Sequence, residues 1–288
     1  MFYLFYSAIW LVTWLPLRVL YLLSDLFFPV IYYIIPYRKK IVRNNLRNAF
    51  PEKTGKERQR IERKFYRFFC DMFVETLYLT HISEKEMRKR FDTGDNQIVK
   101  DYYAQGRSVM MMTAHYGNWE WGSSFSLGLP DESPVYNVYK KLHSKNFDKL
   151  MNLLRSRFKG HSVEMKELLR KMLELRKEGK VVGFAMISDQ NPLRQNIHYW
   201  TKFMNQDTPI IDGTDQLARK FNYPVVYIHI RRLKRGYYRC EYHNIASDPQ
   251  ALPEFEICER YARILEQKIE EEPAYWLWTH KRWKHKKE

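Results

Sequence analysis

From about Arg107 to Glu271, short apolar runs alternate with amphipathic helical ones, and nothing else in the chain limits its fold so tightly. A strand buries a brief apolar run, whereas a helix lays a stripe recurring at 3.6-residue spacing on the sheet. The strand candidates are Ser108–Ala114, Val135–Tyr139, Val181–Ile187, Val225–Arg231 and Tyr237–Tyr242. The helix candidates are Trp119–Leu127, Ser144–Phe158, Lys166–Lys177, Ile210–Phe221 and Glu254–Glu271. Such alternation predicts an α/β fold, a mixed central sheet flanked by helices. No repeat, low-complexity linker or internal break divides it. Upstream, Lys56 to Leu79 reads as an amphipathic helix, with Ile61, Phe65, Phe68, Phe69, Met72, Phe73 and Leu77 at helical spacing. Its stripe reads as core-facing, with a lipid-facing or acyl-facing stripe as the alternative. A second helical segment covers Glu84 to Phe91. Residues 51–288 are therefore expected to form one domain, a helical lead-in over 51–104 and an α/β core over 105–288.

Residues 1–50 have a different texture. Phe2 to Leu17 is uncharged and mostly apolar, Arg18 and Asp25 interrupt, and a second apolar stretch runs from Leu26 to Tyr37. A bilayer-spanning helix needs about 20 apolar residues, so the first run sits at the short edge of that requirement. Pro16, Pro29 and Pro36 are expected to kink or end helices. The segment either spans once or dips in as a helix pair. A secretory signal would need a positive start and a small-residue cleavage site, and neither is present. Trp10, Trp14, Tyr21, Tyr32 and Tyr33 are interfacial aromatics, and Arg38, Lys39, Lys40, Arg43 and Arg47 follow. Basic residues after an apolar segment favour the cytoplasmic side and attract anionic lipid. The bulk of the chain is thus expected on the cytoplasmic face of a membrane, with 1–50 as anchor and basic juxtamembrane segment.

Composition narrows the partners. The mean hydropathy of −0.58 excludes a polytopic membrane protein, while a formal net charge of +16 calls for an acidic partner, anionic lipid or nucleic acid. No zinc-finger spacing, ribonucleoprotein signature or basic recognition helix is present, which weakens the nucleic-acid reading. Cys70, Cys240 and Cys258 are far apart and odd in number, as suits buried thiols in a reducing compartment.

Within the alternating region, Thr113-Ala114-His115-Tyr116-Gly117-Asn118-Trp119-Glu120-Trp121 sets a histidine and a carboxylate five positions apart. On one continuous helix they would point about 140° apart. A strand ending at His115, a turn at Gly117 and a helix capped by Asn118 would instead let Glu120 fold back toward the imidazole. His115 would then stand at the carboxyl end of a strand, where α/β sheets bind ligands. Glu120 would hold one ring nitrogen and raise the basicity of the other. The plain alternative is a histidine satisfied in a polar turn. No Ser or Cys offers itself as nucleophile, so the histidine could deprotonate an acceptor substrate directly. A metal site is not indicated, because the spacing is wrong for two ligands and a third is missing.

The His115–Glu120 segment resembles the HxxxxD/E motif of glycerolipid-type acyltransferases. The wider pattern resembles the lipid A biosynthesis (late) acyltransferase family nearly end to end. Arg43-Asn44-Asn45-Leu46-Arg47-Asn48-Ala49-Phe50-Pro51 is similar to its R-x-N-L-x-x-A-F-P run, and His115-Tyr116-Gly117-Asn118-Trp119-Glu120 to its H-x-G-N-W-E block. Tyr139-Lys140 resembles a Tyr-Arg block, with Lys in place of Arg, and Ser188-Asp189-Gln190 resembles the family's Asp-Gln motif. Phe203 through Thr208, with Gly213 and Leu217-Ala218-Arg219, resembles the block before an apolar strand. Trp276-Leu277-Trp278-Thr279-His280-Lys281-Arg282-Trp283-Lys284 matches the ending W-x-W-x-H-x-R-W-K. The first motif is shared by several families; the set in this order is specific.

The resemblance implies a glycerolipid-acyltransferase-like fold and a membrane-bound O-acyltransferase. Such an enzyme moves a fatty acyl group from acyl carrier protein to a hydroxyl of a lipid A precursor at the inner membrane of a Gram-negative bacterium. No cofactor is implied beyond the acyl carrier protein thioester as co-substrate. By carry-over, His115 is the general base and Glu120 its orienting partner. Backbone N–H groups of Gly117, Asn118 and Trp119 are candidate oxyanion donors at a helix start. Lys140 keeps the charge of the Tyr-Arg position but loses bidentate binding. Asp189 and Gln190 map to a motif near the site, with pocket shaping as their simplest role. The basic surface fits an acidic carrier protein, a phosphorylated acceptor and anionic membrane lipids, with no nucleic acid. The same chemistry on an aminolipid or glycolipid, or a non-catalytic membrane-surface adaptor, are the rival readings.

Overall fold

A computed structural model describes residues 2–287. Its centre is a seven-stranded sheet in the order β1-β9-β8-β2-β5-β3-β4. The strands are β1 (Phe91–Asp92), β2 (Val109–Thr113), β3 (Val135–Tyr139), β4 (Gly160–Glu164), β5 (Gly183–Ile187), β8 (Val225–Lys234) and β9 (Tyr237–Ala246). A separate antiparallel ribbon pairs β6 (Trp200–Phe203) with β7 (Gln206–Pro209). All neighbours in the main sheet are parallel except β8 and β9, which form a hairpin, so the sheet is mixed as expected. Every residue of β2 is buried, as a strand covered on both faces requires. Helices α4 (Gly55–Tyr78), α5 (Glu84–Arg90), α6 (Gln97–Ala104), α7 (Lys145–Arg155), α8 (Leu168–Lys177), α9 (Gly213–Phe221) and α10 (Glu256–Glu271) flank it.

The register of the central strands sets up the site. Thr113 of β2 lies opposite Ile187 of the parallel β5. Two residues beyond each, His115 and Asp189 therefore leave the sheet side by side. On the other flank of β5, β3 runs the same way and ends at Tyr139, so Lys140 emerges at the same edge.

The helix expected over Trp119–Leu127 is instead a run of 3₁₀ turns, Trp121–Gly128. Ser123 and Ser124 donate their hydroxyls to the carbonyls of Glu120 and Trp121 three residues back, a local alternative to the α-helical ladder. Strand β4 and the β6–β7 ribbon were not anticipated, because neither carries an apolar run: β4 shows two exposed residues in succession, and β6–β7 is half polar.

In the N-terminal segment, α1 (Phe2–Val12) and α2 (Leu17–Pro29) are separated at Pro16. Pro29 lacks the N–H that would continue the ladder. The chain widens there into a π turn, Val30–Ile34, closed by Ile35 N–H donating to Val30 O at 2.7 Å. α3 (Lys39–Ala49) follows. Leu17, Leu20, Tyr21, Tyr32, Val42 and Leu46 belong to the same buried cluster as the sheet residues, so this segment is packed into the core.

Candidate active site

His115 is held from both sides of its backbone. Its carbonyl accepts from Leu277 N–H at 3.0 Å, Gly117 N–H donates to Tyr275 O at 3.0 Å, and Tyr116 forms a β-bridge with Trp276. The C-terminal block thus lies antiparallel along the histidine turn. Gly117 adopts φ +59°, and a Cβ there would meet Ile230 O at 2.1 Å. Only glycine satisfies both conditions.

The imidazole meets Asp189. His115 Nδ1 lies 2.7 Å from Asp189 Oδ1, and the His115 backbone N–H donates to Oδ2 at 3.0 Å. Trp276 Nε1–H donates to the same Oδ2 at 2.8 Å. Burial pushes the Asp189 carboxyl up, but the facing His115 and the Trp276 indole outweigh it and hold the group below the usual carboxylate range. The His115 side chain keeps 18% of its exposure against 3% for Asp189, so the ring presents an edge to solvent while its partner does not. Gln190 Nε2 lies 3.2 Å from His115 Nε2, and the Trp119 ring stands edge-on to the imidazole at 5.2 Å between centroids.

Asp189 occupies the place that the spacing of the motif assigned to Glu120. Glu120 is instead forked by Arg155 of α7: Nε donates to Oε2 at 2.9 Å and Nη2 to Oε1 at 2.8 Å. The Trp119 indole N–H also reaches Oε1, at 3.1 Å. The reason is local. Asn118 Oδ1 accepts from Trp121 N–H at 3.0 Å, closing a tight turn, and the guanidinium offers Glu120 two charge-assisted bonds where an imidazole offers one. Arg155 carried a readable signal: it lies four residues after buried Met151, next to the stripe of Leu150, Met151 and Leu154. A charge placed there needs a buried partner.

Gln190 joins His115 directly, and Asn118 serves as the expected cap. The Asn118 amide also donates to Glu75 Oε2 at 2.7 Å. Lys140 is exposed at the strand edge, and among the described residues no hydrogen bond or ion pair joins it to His115 or Glu120. The Gly117 amide is taken by Tyr275, which removes it from the oxyanion candidates, whereas those of Asn118 and Trp119 have no acceptor among the described residues. The terminal block forms the back wall. Fully buried Arg282 donates to Asn191 Oδ1 at 3.1 Å and Pro209 O at 2.8 Å, and Trp283 to Thr208 Oγ1 at 2.8 Å. Among the described residues no three His, Cys, Asp or Glu side chains group as metal ligands, and the three cysteines are buried and unpaired.

An imidazole oriented by a buried carboxylate at the carboxyl edge of a parallel sheet is the equipment of an enzyme that activates a group on its substrate. The model of the bacterial lipid A biosynthesis acyltransferases matches residues 1–285. The chain belongs to this family and is an acyltransferase. It is 26% identical to the lipid A biosynthesis lauroyltransferase of Escherichia coli K12, across 98% of this chain and 94% of that protein. It is 25% identical to the lipid A biosynthesis palmitoleoyltransferase of the same strain, across 96% and 91%. A lipid A biosynthesis acyltransferase of Shigella flexneri is matched to the same extent.

Proposed function

We propose that this chain transfers a fatty acyl group from an acyl carrier protein thioester to a hydroxyl of a lipid A precursor, at the cytoplasmic face of an inner membrane. The observation that carries the reading is the 2.7 Å pairing of His115 Nδ1 with buried Asp189. Asp189 keeps the proton on Nδ1 and leaves the Nε2 lone pair as base. Nε2 takes the proton of the acceptor hydroxyl as its oxygen attacks the thioester carbonyl. The new C–O bond forms, the C–S bond breaks, and the departing thiolate recovers the proton from the imidazolium. The developing oxyanion has the Asn118 and Trp119 amides within the same turn as donors. Gln190, now 3.2 Å from Nε2, is placed to bond the incoming hydroxyl. Glu120 and Arg155 act one step back: their pair anchors the indole of Trp119, whose ring walls the imidazole.

Relatives named for lauroyl and palmitoleoyl transfer support a fatty acyl donor. A net charge of +16, with exposed Lys140 at the site's edge, suits an acidic carrier protein and a phosphorylated acceptor. The test is purified protein incubated with a panel of acyl carrier protein thioesters and lipid A precursors, read by mass spectrometry. The expected result is one added acyl mass on a lipid A precursor. Acylation of an aminolipid or glycolipid alone would reassign the acceptor, and no transfer to any lipid would overturn the reading.

A further inference from the structure

We propose that the N-terminal segment lies in the plane of the membrane surface, with the outer stripe of α2 in the acyl-chain boundary of an anionic bilayer, and does not cross it. The proposal rests on the membrane location given above. α2 runs antiparallel to α4 and is fastened to it at helical intervals. Tyr21 OH donates to Glu75 Oε1 at 2.6 Å and Ser24 Oγ donates to Asp71 Oδ1 at 2.7 Å, and beyond α2, in the π turn, the Tyr32 ring stands edge-on to Tyr66 at 5.4 Å. Just before α2, Thr13 Oγ1 meets Thr80 Oγ1 and His81 Nδ1, the latter at 2.9 Å.

The carboxylates that receive α2 are tied in turn to the β8–β9 hairpin. Arg232 Nη2 donates to Asp71 Oδ2 at 2.9 Å, Arg235 to Asp71 Oδ1 at 2.6 Å, and Tyr238 OH to Glu75 Oε2 at 2.7 Å. Arg235 also bonds Asp25 of α2 itself at 2.7 Å. For α2 to traverse hydrocarbon, it would have to carry the middle of α4 and the hairpin tip with it, two carboxylates and two guanidiniums included. The only other route is to break every one of these bonds and leave the charges behind. Either course is far costlier than lying flat.

The opposite face is built for lipid. Leu15, Val19, Leu22 and Leu26 recur at i, i+4, i+7 and i+11 and are exposed, Leu22 and Leu26 by 67% and 65%. Exposed Ile34, the last residue of the π turn, and exposed Ile35 just after it add to this apolar surface. Its borders are mostly basic: Arg18 is exposed beside it, exposed Asp25 is answered by Arg235 at 2.7 Å, and a depression lined by Pro36, Arg38, Lys39, Lys40, Ile41 and Arg43 follows it. A second copy of this chain would bring like charge against this rim, whereas anionic headgroups complement it.

The experiment places a nitroxide at Val19→Cys, Leu22→Cys or Leu26→Cys in the full chain, bound to phosphatidylethanolamine–phosphatidylglycerol vesicles. Native Cys70, Cys240 and Cys258 are buried and do not compete for label. Between positions 19 and 26 an α-helix rises about 10 Å. The in-plane helix puts all three labels at one shallow depth, about 5–10 Å below the headgroups. A depth that changes steadily by about 10 Å along the series would overturn the proposal in favour of an inserted or spanning helix. Absence of vesicle binding would sink the membrane location itself, and label–label coupling without lipid would reassign the stripe to a contact between copies. The double variant Leu22→Glu/Leu26→Glu should bind these vesicles at least about tenfold more weakly, given the burial energy of two leucines; unchanged binding would also overturn the proposal.

Discussion

Asp189 and Glu120 are both buried carboxylates reached within a few residues of the sheet edge, yet they serve different partners. Asp189 leaves β5 in register with β2 and meets His115, among the described residues its only cation-forming neighbour by direct hydrogen bond. Glu120 leaves a capped turn and meets the guanidinium of Arg155. Strand adjacency, which brings together residues 74 positions apart, selected the partner of the imidazole over a neighbour five positions away. A motif spacing identifies residues that share a site; it does not say which of them touch.

The largest expected effect tests the centre of that comparison. His115→Ala should lower acyl transfer by about 10²–10⁴-fold, the range of a lost general base, with vesicle binding and folding retained; turnover assays on the purified variant decide it. Asp189→Asn should follow, with kcat down by at least about a hundredfold, because an amide can stabilise the wrong tautomer and cannot balance the imidazolium. Glu120→Gln is the discriminating companion. On this geometry it costs about tenfold or less in kcat, a moderate effect through Trp119, because the retained side chain still accepts the indole N–H. A loss equal to that of Asp189→Asn at unchanged stability would break the comparison and return Glu120 to the chemistry.

Arg155→Ala sharpens the same contrast on the stability side. It leaves Glu120 buried without its counter-charge, and unfolding in urea should show a loss of about 3–5 kcal/mol. The smallest expected effect concerns acid. In the Asp189 corner, burial lowers the pKa of His280 from 6.5 to about 4, and its ring lies 3.1 Å from the Asn191 amide. Between those values the unfolded chain binds the proton and the folded chain does not, so stability is full above the unfolded pKa and declines as pH falls from about 6.5 toward 4. Asp189, with its carboxyl held down, keeps its contribution until pH falls below that window. Urea midpoints measured across pH 7 to 4 should therefore fall less steeply for His280→Gln than for the parent chain.

Much of the α/β core was legible because its signals are local. Val135–Tyr139 forms as read, and Gly55–Tyr78, Leu168–Lys177 and Glu256–Glu271 begin and end within two residues of the expected bounds. Of the candidate site residues, Asp189, Gln190 and Trp119 meet the His115 ring and Trp119 reaches Glu120, whereas Lys140 stays exposed at the strand edge. The site's wiring was not legible, because the Thr113–Ile187 register is a fact about two strands and no window of sequence contains it. Arg155 escapes the apolar stripe of its helix, because the charge beside that stripe finds its partner, Glu120, 35 positions away. In the N-terminal segment, Tyr21 reads from sequence as an interfacial aromatic, yet it and Ser24 find hydrogen-bond partners about 50 residues downstream in α4.

Glu75 gives this wiring a practical edge. One buried carboxylate accepts from Tyr21 of the first segment, Tyr238 of the hairpin and Asn118 of the histidine turn. Trimming residues before α3 to obtain a more tractable protein would remove one of three donors from a fully buried acid and strip Ser24 from Asp71 as well. The shortened protein would be crippled at the turn that bears His115, although the cut lies nearly eighty residues away. Solubility is better sought by polar replacements on the outward stripe, which touch none of these bonds, with every residue of the segment left in place.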